Sequence, residues 1–405
     1  MTYSEAIEWI YSTQHFGVKL GLDAPAELLA QFLAFPSRDT KVIHVAGTNG
    51  KGSTCALIDS VARAHGIRSG LFTSPHLVDF RERFRVHSKM ISEQETAKYL
   101  TDIRDLVSDW EHHPTFFEIA LALGMKFFRD KEVELIILET GMGGRLDATT
   151  AVPADVCVLT PIAMDHSQYL GDTLAAIAGE KAGIIVSDAP VISAIQDKTA
   201  SRVIAETANR MRAPLTVVNG PVEVYGVGLP GLHQRENAAL ALEALHQLGV
   251  ELRYDSVKDG LESVQWPGRF EVTSERPLTV IDGAHNPHAA EILVRTWKEQ
   301  YGDVKPVVIF GSIECKDPRG VLTHLLEIAE KIIFTPINSP KTIHFEDLDE
   351  VTEQVKDKLL KSVDISDALS IARGENMPIL ITGSIYMLGE YKSLISKARH
   401  HPTSQ

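Results

Sequence analysis

Apolar residues along this chain fall into two rhythms. Short, mostly apolar runs occupy residues 42–46, 133–138 and 156–160. They are too short for helices and too apolar for half-exposed strands, so they predict strands buried on both faces. Between them the period lengthens. Residues 54–65 place Leu57, Ile58, Val61 and Ala62 on one helical face, and Gly66 follows where a helix stop belongs. Thr115 and Glu118 have capping-box spacing and open a helix predicted to run to about Asp130. Alternation of this kind implies a mostly parallel sheet in an α/β domain. The rhythm restarts late, with strands at 278–281, 307–310, 331–334 and 378–381 and a helix from about Pro287. The break between the two stretches is Trp266-Pro267-Gly268. It predicts domains at 1–267 and 268–405, the second within the usual domain range. The tail from His400 onward is expected to fray.

Composition narrows the classes. A length of 405 residues with 44% hydrophobic and 23% charged suggests a soluble globular protein of about two domains. Forty Lys and Arg against 54 Asp and Glu leave a net charge of −14, which argues against a nucleic-acid partner. A local basic pocket for an anion stays open. Cys55, Cys157 and Cys315 lack metal spacing and are odd in number, which fits a reducing compartment. The N-terminus carries no apolar leader core, and no apolar run nears the ~20 residues a membrane helix needs. The expectation is a cytoplasmic protein with no membrane partner.

Five loops carry candidate chemistry. The first, residues 45–53, includes Thr48, Asn49, Gly50, Lys51, Gly52 and Ser53 between a strand and a helix. A phosphate-binding loop belongs there, with backbone N–H groups and the helix N-terminus facing an anion. The general pattern is incomplete: Val45 stands for the first glycine, and Gly52 separates Lys51 from Ser53. The plainer alternative is a glycine-rich turn with an exposed lysine. Glu139, at the end of the second strand, can hold a divalent cation or simply open the Gly-rich loop that follows. Asp165-His166 follows the third strand; a lone His is more often a surface residue. Residues 179–185 read as a helix end with Gly183 as its stop. Asp282 and His285, after the first strand of the second domain, serve equally as turn and cap residues or as groups facing the first domain across a cleft. Gly226, Gly228 and Gly231 match a dinucleotide fingerprint, but Pro230 disturbs the turn and no dinucleotide is expected.

Taken together, these motifs resemble the Mur-ligase superfamily, and most closely its folate branch, the folylpolyglutamate and dihydrofolate synthases. The resemblance runs through FGVKLGL, AGTNGKGST, TSPHLVDFRERFRV, TFFE, ETGMGGRLDATT, MDH, GEKAGII, HQRENAALA, WPGRFE, DGAHNP and ITGSIY, in that order. It implies a P-loop-type ATPase domain with a mostly parallel sheet, followed by a smaller Rossmann-like α/β domain on the glutamate side. Residues 48–53 would bind ATP, with Asn237, Arg269 and Asp282 as further nucleotide contacts. Lys51, Lys181 and His285 would be catalytic. Ser53, Glu139, His166 and a carbamylated Lys181 would hold two Mg²⁺ ions, with K⁺ as a further cofactor. Ser74, Arg83, Thr115, Phe117 and Asp147 would line the pterin site. The implied reaction activates a carboxylate as an acyl phosphate and couples it to L-glutamate. The acceptor would be a folate, dihydropteroate or both, and the enzyme a monomer. Four departures stand out: Thr150 where the family has Asn, LTPIAMDH for ITSIGLDH, Val186 for Lys, and no arginine after GL in GLDAP. Alternatives are a cell-wall amino-acid ligase acting on UDP-linked substrates, a P-loop kinase or nucleotide-gated binding module, and a degenerate homologue kept for binding.

Overall fold

A computed structural model describes residues 1–17, 21–314, 316–345, 358–396 and 401. Cys315, the centre of FGVKLGL and all of the tail from His400 except His401 lie outside the described residues. The chain divides into two units. The first comprises residues 1–76, 80–228 and 234–264; the second comprises 77–79, 229–233 and 265–405. Among the described residues no helix is long and apolar enough to cross a membrane.

The first unit is built on eight strands: β1 (Lys41–Ala46), β2 (Ser69–Phe72), β3 (Phe84–Val86), β4 (Lys89–Met90), β5 (Leu135–Glu139), β6 (Val156–Leu159), β7 (Val191–Ser193) and β8 (Leu215–Val217). Their order is β4-β3-β2-β5-β1-β6-β7-β8. All neighbouring pairs from β2 to β8 are parallel. Only the pairs β2–β3 and β3–β4, at one edge of the sheet, are antiparallel. The central strands β1, β5 and β6 are buried almost throughout, which is why their sequences read as unbroken apolar runs.

The helix after β1 corrects two expectations. It spans Lys51–Ala64, three residues earlier than its apolar pattern suggested, because Gly50 turns the chain directly into it. It is buried on every side from Gly52 to Ala62 rather than along one face. The cause is packing against β1, β2 and β5 and against the helix Tyr254–Glu262. That second helix approaches so closely that a Cβ on Gly260 would lie 2.6 Å from the Val61 Cα. Fully burying Leu57 or Ile58 here stabilises by about 1.5–3 kcal/mol each. The helix Phe116–Asp130 opens on the expected capping box: Glu118 N–H donates to Thr115 Oγ1 and Thr115 N–H to Glu118 Oε2.

The second unit carries a six-stranded sheet of β9 (Glu271–Glu275), β10 (Leu278–Ile281), β11 (Val307–Phe310), β12 (Lys331–Phe334), β13 (Leu359–Lys361) and β14 (Ile379–Thr382). The order is β13-β12-β11-β14-β10-β9, parallel except for β9. Apolar cores cover both faces, one including Trp297, Leu293 and Phe310, the other Ile309, Ile381 and Leu388. Each unit is therefore an open, mostly parallel α/β sheet, whose ligand sites belong outside the carboxyl ends of the strands.

Candidate functional site

The carboxyl end of β1 feeds the loop Gly47–Gly50. Gly50 has φ 87°, in the left-handed region, and a Cβ there would fall 2.7 Å from Asn237 Oδ1. A Cβ on Gly47 would fall 1.9 Å from Thr160 Oγ1. Only glycine fits either place. Thr48 and Asn49 N–H both donate to the Pro161 carbonyl, at 3.0 and 3.2 Å. Thr48 Oγ1 donates to the Ala163 carbonyl at 3.0 Å. The segment after β6 thus stitches the loop in place. Gln196 extends the stitching: it accepts from Ile162 N–H and donates to the Thr160 carbonyl. Lys51 Nζ donates to the carbonyls of Gly47 and Thr48 at 3.2 and 3.3 Å. Lys181 Nζ, buried in the last turn of the helix Leu174–Ala182, donates to the same Gly47 carbonyl at 2.8 Å.

Three further groups sit at the carboxyl ends of neighbouring strands. Glu139 is the last residue of β5, and its Oε2 accepts from Ser74 N–H at 3.0 Å in the loop after β2. His166 follows β6 with φ 52°, a left-handed conformation uncommon for a side-chain-bearing residue and frequent at functional sites. The hydroxyls of Thr54, Ser74 and Thr140 are buried with no hydrogen-bond partner. Thr54 lies in the loop helix, Thr140 follows Glu139, and Ser74 reaches Glu139 through its N–H. Buried hydroxyls left in this state call for an explanation, and a bound ion is one of the usual ones. Among the described residues no three His, Cys, Asp or Glu side chains cluster as a metal site. The expected set contains only two of those types, Glu139 and His166; its other members are Ser53, buried in the first turn of the loop helix, and Lys181. Burial, with Glu139 nearby, pushes the Cys55 thiol well up, so it stays protonated.

The Gly141–Asp147 loop is pinned by a buried carboxylate. Asp147 Oδ2 accepts from Met142 N–H at 2.8 Å, and Oδ1 accepts from Thr149 N–H and Thr149 Oγ1. Burial raises its pKa, against the pull of these hydrogen bonds. Phe117 lies against this loop: a Cβ on Gly141 would meet its ring at 2.7 Å. Thr115 serves as the N-cap described above and is itself buried. Arg83 is fully buried, with Nε donating to His76 Nδ1 at 2.9 Å and its guanidinium carbon 5.3 Å from the Phe116 ring centre. The His76 ring proton is thereby assigned to Nε2, which faces the Tyr11 hydroxyl at 3.2 Å.

Asn237, buried in the helix Leu232–Gln247, faces Gly50 and donates to Gln234 Oε1. In the second unit, Arg269 and Asp282 gather around the loop after β10. Asp282 accepts from Phe270 and Ala284 N–H. Its carboxyl pKa is raised by burial, with Arg269 pulling the other way. A Cβ on Gly283 would come within 2.5 Å of the Arg269 guanidinium. His285 Nδ1 lies 2.9 Å from the Gly283 carbonyl, and Asn286 caps the helix Pro287–Tyr301. The loop after β14 joins them through Gly383 N–H to the Ala284 carbonyl.

Other residues in this arrangement escaped the sequence reading: His44, Thr149, Thr160 and Gln196. The signal for two of them was present as a polar residue inside or ending an apolar run. Gly226, Gly228 and Gly231 have no strand leading into them, so the dinucleotide fingerprint is absent as a structure.

Residues 45–221 match the model of the Mur ligase middle domain. Residues 268–385 match that of the Mur ligase, glutamate ligase domain. The chain is 32% identical to the dihydrofolate synthase/folylpolyglutamate synthase of Bacillus subtilis, over 96% of this chain and 98% of that protein. A solved structure of E. coli FolC with DHPP and ADP superposes with TM-score 0.88 at 29% identity, covering 98% of both chains. A bifunctional folylpolyglutamate synthase/dihydrofolate synthase with Mn, AMPPNP and L-glutamate bound gives TM-score 0.85 at 29% identity, covering 96% of this chain and 98% of that one.

Proposed function

The chain belongs to the Mur ligases, in the branch of the folylpolyglutamate and dihydrofolate synthases, and from that premise we propose how its residues divide the work of an ATP-dependent glutamate ligase. The acceptor is a folate or dihydropteroate carrying a free carboxylate. That carboxylate attacks the γ-phosphate of ATP, giving an acyl phosphate and ADP. The amino group of L-glutamate then attacks the acyl carbon, and phosphate leaves. Activation is needed because a carboxylate resists attack by an amine.

One observation carries this reading. At the carboxyl ends of β2, β5, β1 and β6, four strands adjacent in the sheet, stand Ser74, Glu139 (the last residue of β5), Lys51 (the first residue of the helix after β1) and His166. Lys51 and the loop's N–H groups would bind the ATP phosphates and offset charge on the transferring phosphoryl group. Asn237, whose side chain faces Gly50, would contact the nucleotide, as would Arg269, Asp282 and His285. A divalent cation fits the first unit: Ser53 and Glu139 offer oxygen donors, His166 an imidazole, and unsatisfied hydroxyls adjoin them. When bound, such an ion screens negative charge on the nucleotide phosphates. Lys181 now donates to the Gly47 carbonyl. Carbamylation would turn that donor into a carboxylate and a further cation ligand, a change that intact-mass measurement in bicarbonate reads directly. Phe117, Thr115, Arg83 and Asp147 surround the pterin end of the acceptor, and the enzyme works as a cytoplasmic monomer.

The deciding experiment is ADP release by the purified protein with Mg·ATP, L-glutamate and either dihydropteroate or tetrahydrofolate. ADP is expected only when glutamate and an acceptor are both present. ADP release without glutamate, as from a kinase, would overturn the reading.

A further inference from the structure

His44 is a buried imidazole in the middle of β1, a strand otherwise apolar from Val42 to Ala46. A polar ring in such a place must find a hydrogen-bond partner. It finds Thr149, with His44 Nε2 2.8 Å from Thr149 Oγ1. Thr149 is fully buried as well, and its hydroxyl reaches Asp147 Oδ1 at 2.5 Å. Proton counting sets the direction of this chain. A threonine hydroxyl has one hydrogen, and the Asp147 carboxylate can only accept. The hydroxyl therefore donates to Asp147 and accepts from His44, which must carry its proton on Nε2. The other groups bonded to the Asp147 carboxylate are also donors, the backbone N–H groups of Met142, Thr149 and Gly141. Burial keeps His44 neutral well below physiological pH. A neutral imidazole supplies one donor without placing a buried positive charge beside the phosphate loop.

We infer that His44 and Thr149 are positioning residues for acceptor binding: they hold the Asp147 carboxylate, and through Met142 N–H the Gly141–Asp147 loop, in the geometry that receives the pterin end of the acceptor. The inference rests on the ligase reading above, since neither residue touches a substrate. It predicts a selective effect. ATP is handled by the loop after β1, whose bonds to the segment after β6 do not involve Thr149, so only the acceptor should notice the relay.

The test uses steady-state kinetics on the full-length enzyme. Thr149→Val keeps shape but removes the hydroxyl; Thr149→Ser restores it. Thr149→Val is expected to raise the acceptor KM by about tenfold, the scale of one hydrogen bond to a charged group. KM values for ATP and glutamate should stay within about twofold, and Thr149→Ser should return the acceptor KM to the wild-type range. A folded Thr149→Val enzyme with unchanged acceptor KM, or with all three KM values raised alike, overturns the relay. Should Thr149→Val not fold, His44→Leu and His44→Gln decide. The first removes the donor and should raise the acceptor KM. The second offers an amide donor and should not. Equal values for the pair sink the relay. Wild-type enzyme lacking glutamate- and acceptor-dependent ADP release would instead sink the ligase reading, so the two failures are distinct.

Discussion

Lys51 and Lys181 both end on the carbonyl oxygen of Gly47. Two ammonium groups sharing one neutral acceptor repel each other, and an anion beside them relieves that repulsion. This is the residue-level reason to place phosphate oxygens at the loop. Lys51→Ala is therefore expected to lower turnover by two to three orders of magnitude, the scale seen when a preorganised charge-stabilising group is lost. Single-turnover ADP formation checks it; near-normal turnover would remove Lys51 from the phosphate site. At this scale the sequence was informative where glycine and charge coincide. Gly50, Lys51 and Glu139 could be marked because loop position and residue type agree. His44 and Thr149 could not, because what makes them matter is a partner roughly a hundred positions away, and one chain gives no sign of that pairing.

Elements were legible where burial coincided with an apolar run long enough to show. β10, β11, β12 and the helix Pro287–Tyr301 begin where the apolar pattern placed them, since strands covered on both faces leave unbroken runs. β3, the edge strands β4, β8, β9 and β13, and the buried β2 and β7 went unseen, because edge positions mix polar residues into short segments and three or four residues, some of them Gly or Ser, show no period. The helix Phe116–Asp130 was visible from its cap. Its capping box is buried, so cutting back Thr115 removes the hydroxyl that serves both Glu118 N–H and Glu118 Oε2 and leaves only the bond from Thr115 N–H. Thr115→Ala is expected to destabilise the fold by about 1–2 kcal/mol, read as a lower urea midpoint at constant slope. Thr115→Ser should recover most of it. A Thr115→Ala protein as stable as wild type would mean that the cap contributes only to the acceptor site.

For the molecule as a whole, pH dependence follows from its buried imidazoles. Burial lowers His44 from 6.5 to about 3, and His233 from 6.5 to about 4. Their folded pKa values lie below the unfolded ones, so the unfolded chain binds the extra protons once pH drops below about 6.5. Stability contributed by keeping these rings neutral is present above that pH and is lost as pH falls. For His44 alone the loss between pH 7 and pH 5 is about 2 kcal/mol. Urea midpoints at the two pH values should therefore differ less for His44→Leu than for wild type; equal differences would mean that the ring is accessible to protons in the native state. The alternation of strands and helices stops and restarts along the chain, but it gives no sign that residues 77–79 and 229–233 group with the second unit. The observed change of unit at Val264–Gln265 lies two residues before the Pro267-Gly268 break.

The two glycines of the Gly179–Gly183 segment carry a consequence for how this protein can vary. A Cβ on Gly179 would meet nothing, whereas one on Gly183 would strike the Arg145 Cβ at 2.2 Å. Gly183 has an ordinary φ of −65°, so its glycine is demanded by a neighbour rather than by its own backbone. Gly144 answers from the other side: a Cβ there would fall 2.7 Å from the Glu180 carbonyl. The loop after β5 and the helix bearing Lys181 thus meet main chain to main chain, with Arg145 N–H bonded to that same carbonyl. In a saturation library, positions 144 and 183 would return almost nothing but glycine while position 179 filled freely, with alanine enriched. Neither surface of that contact can drift without the other, so the spacing between the loop after β5 and the helix bearing Lys181 is inherited as a single unit.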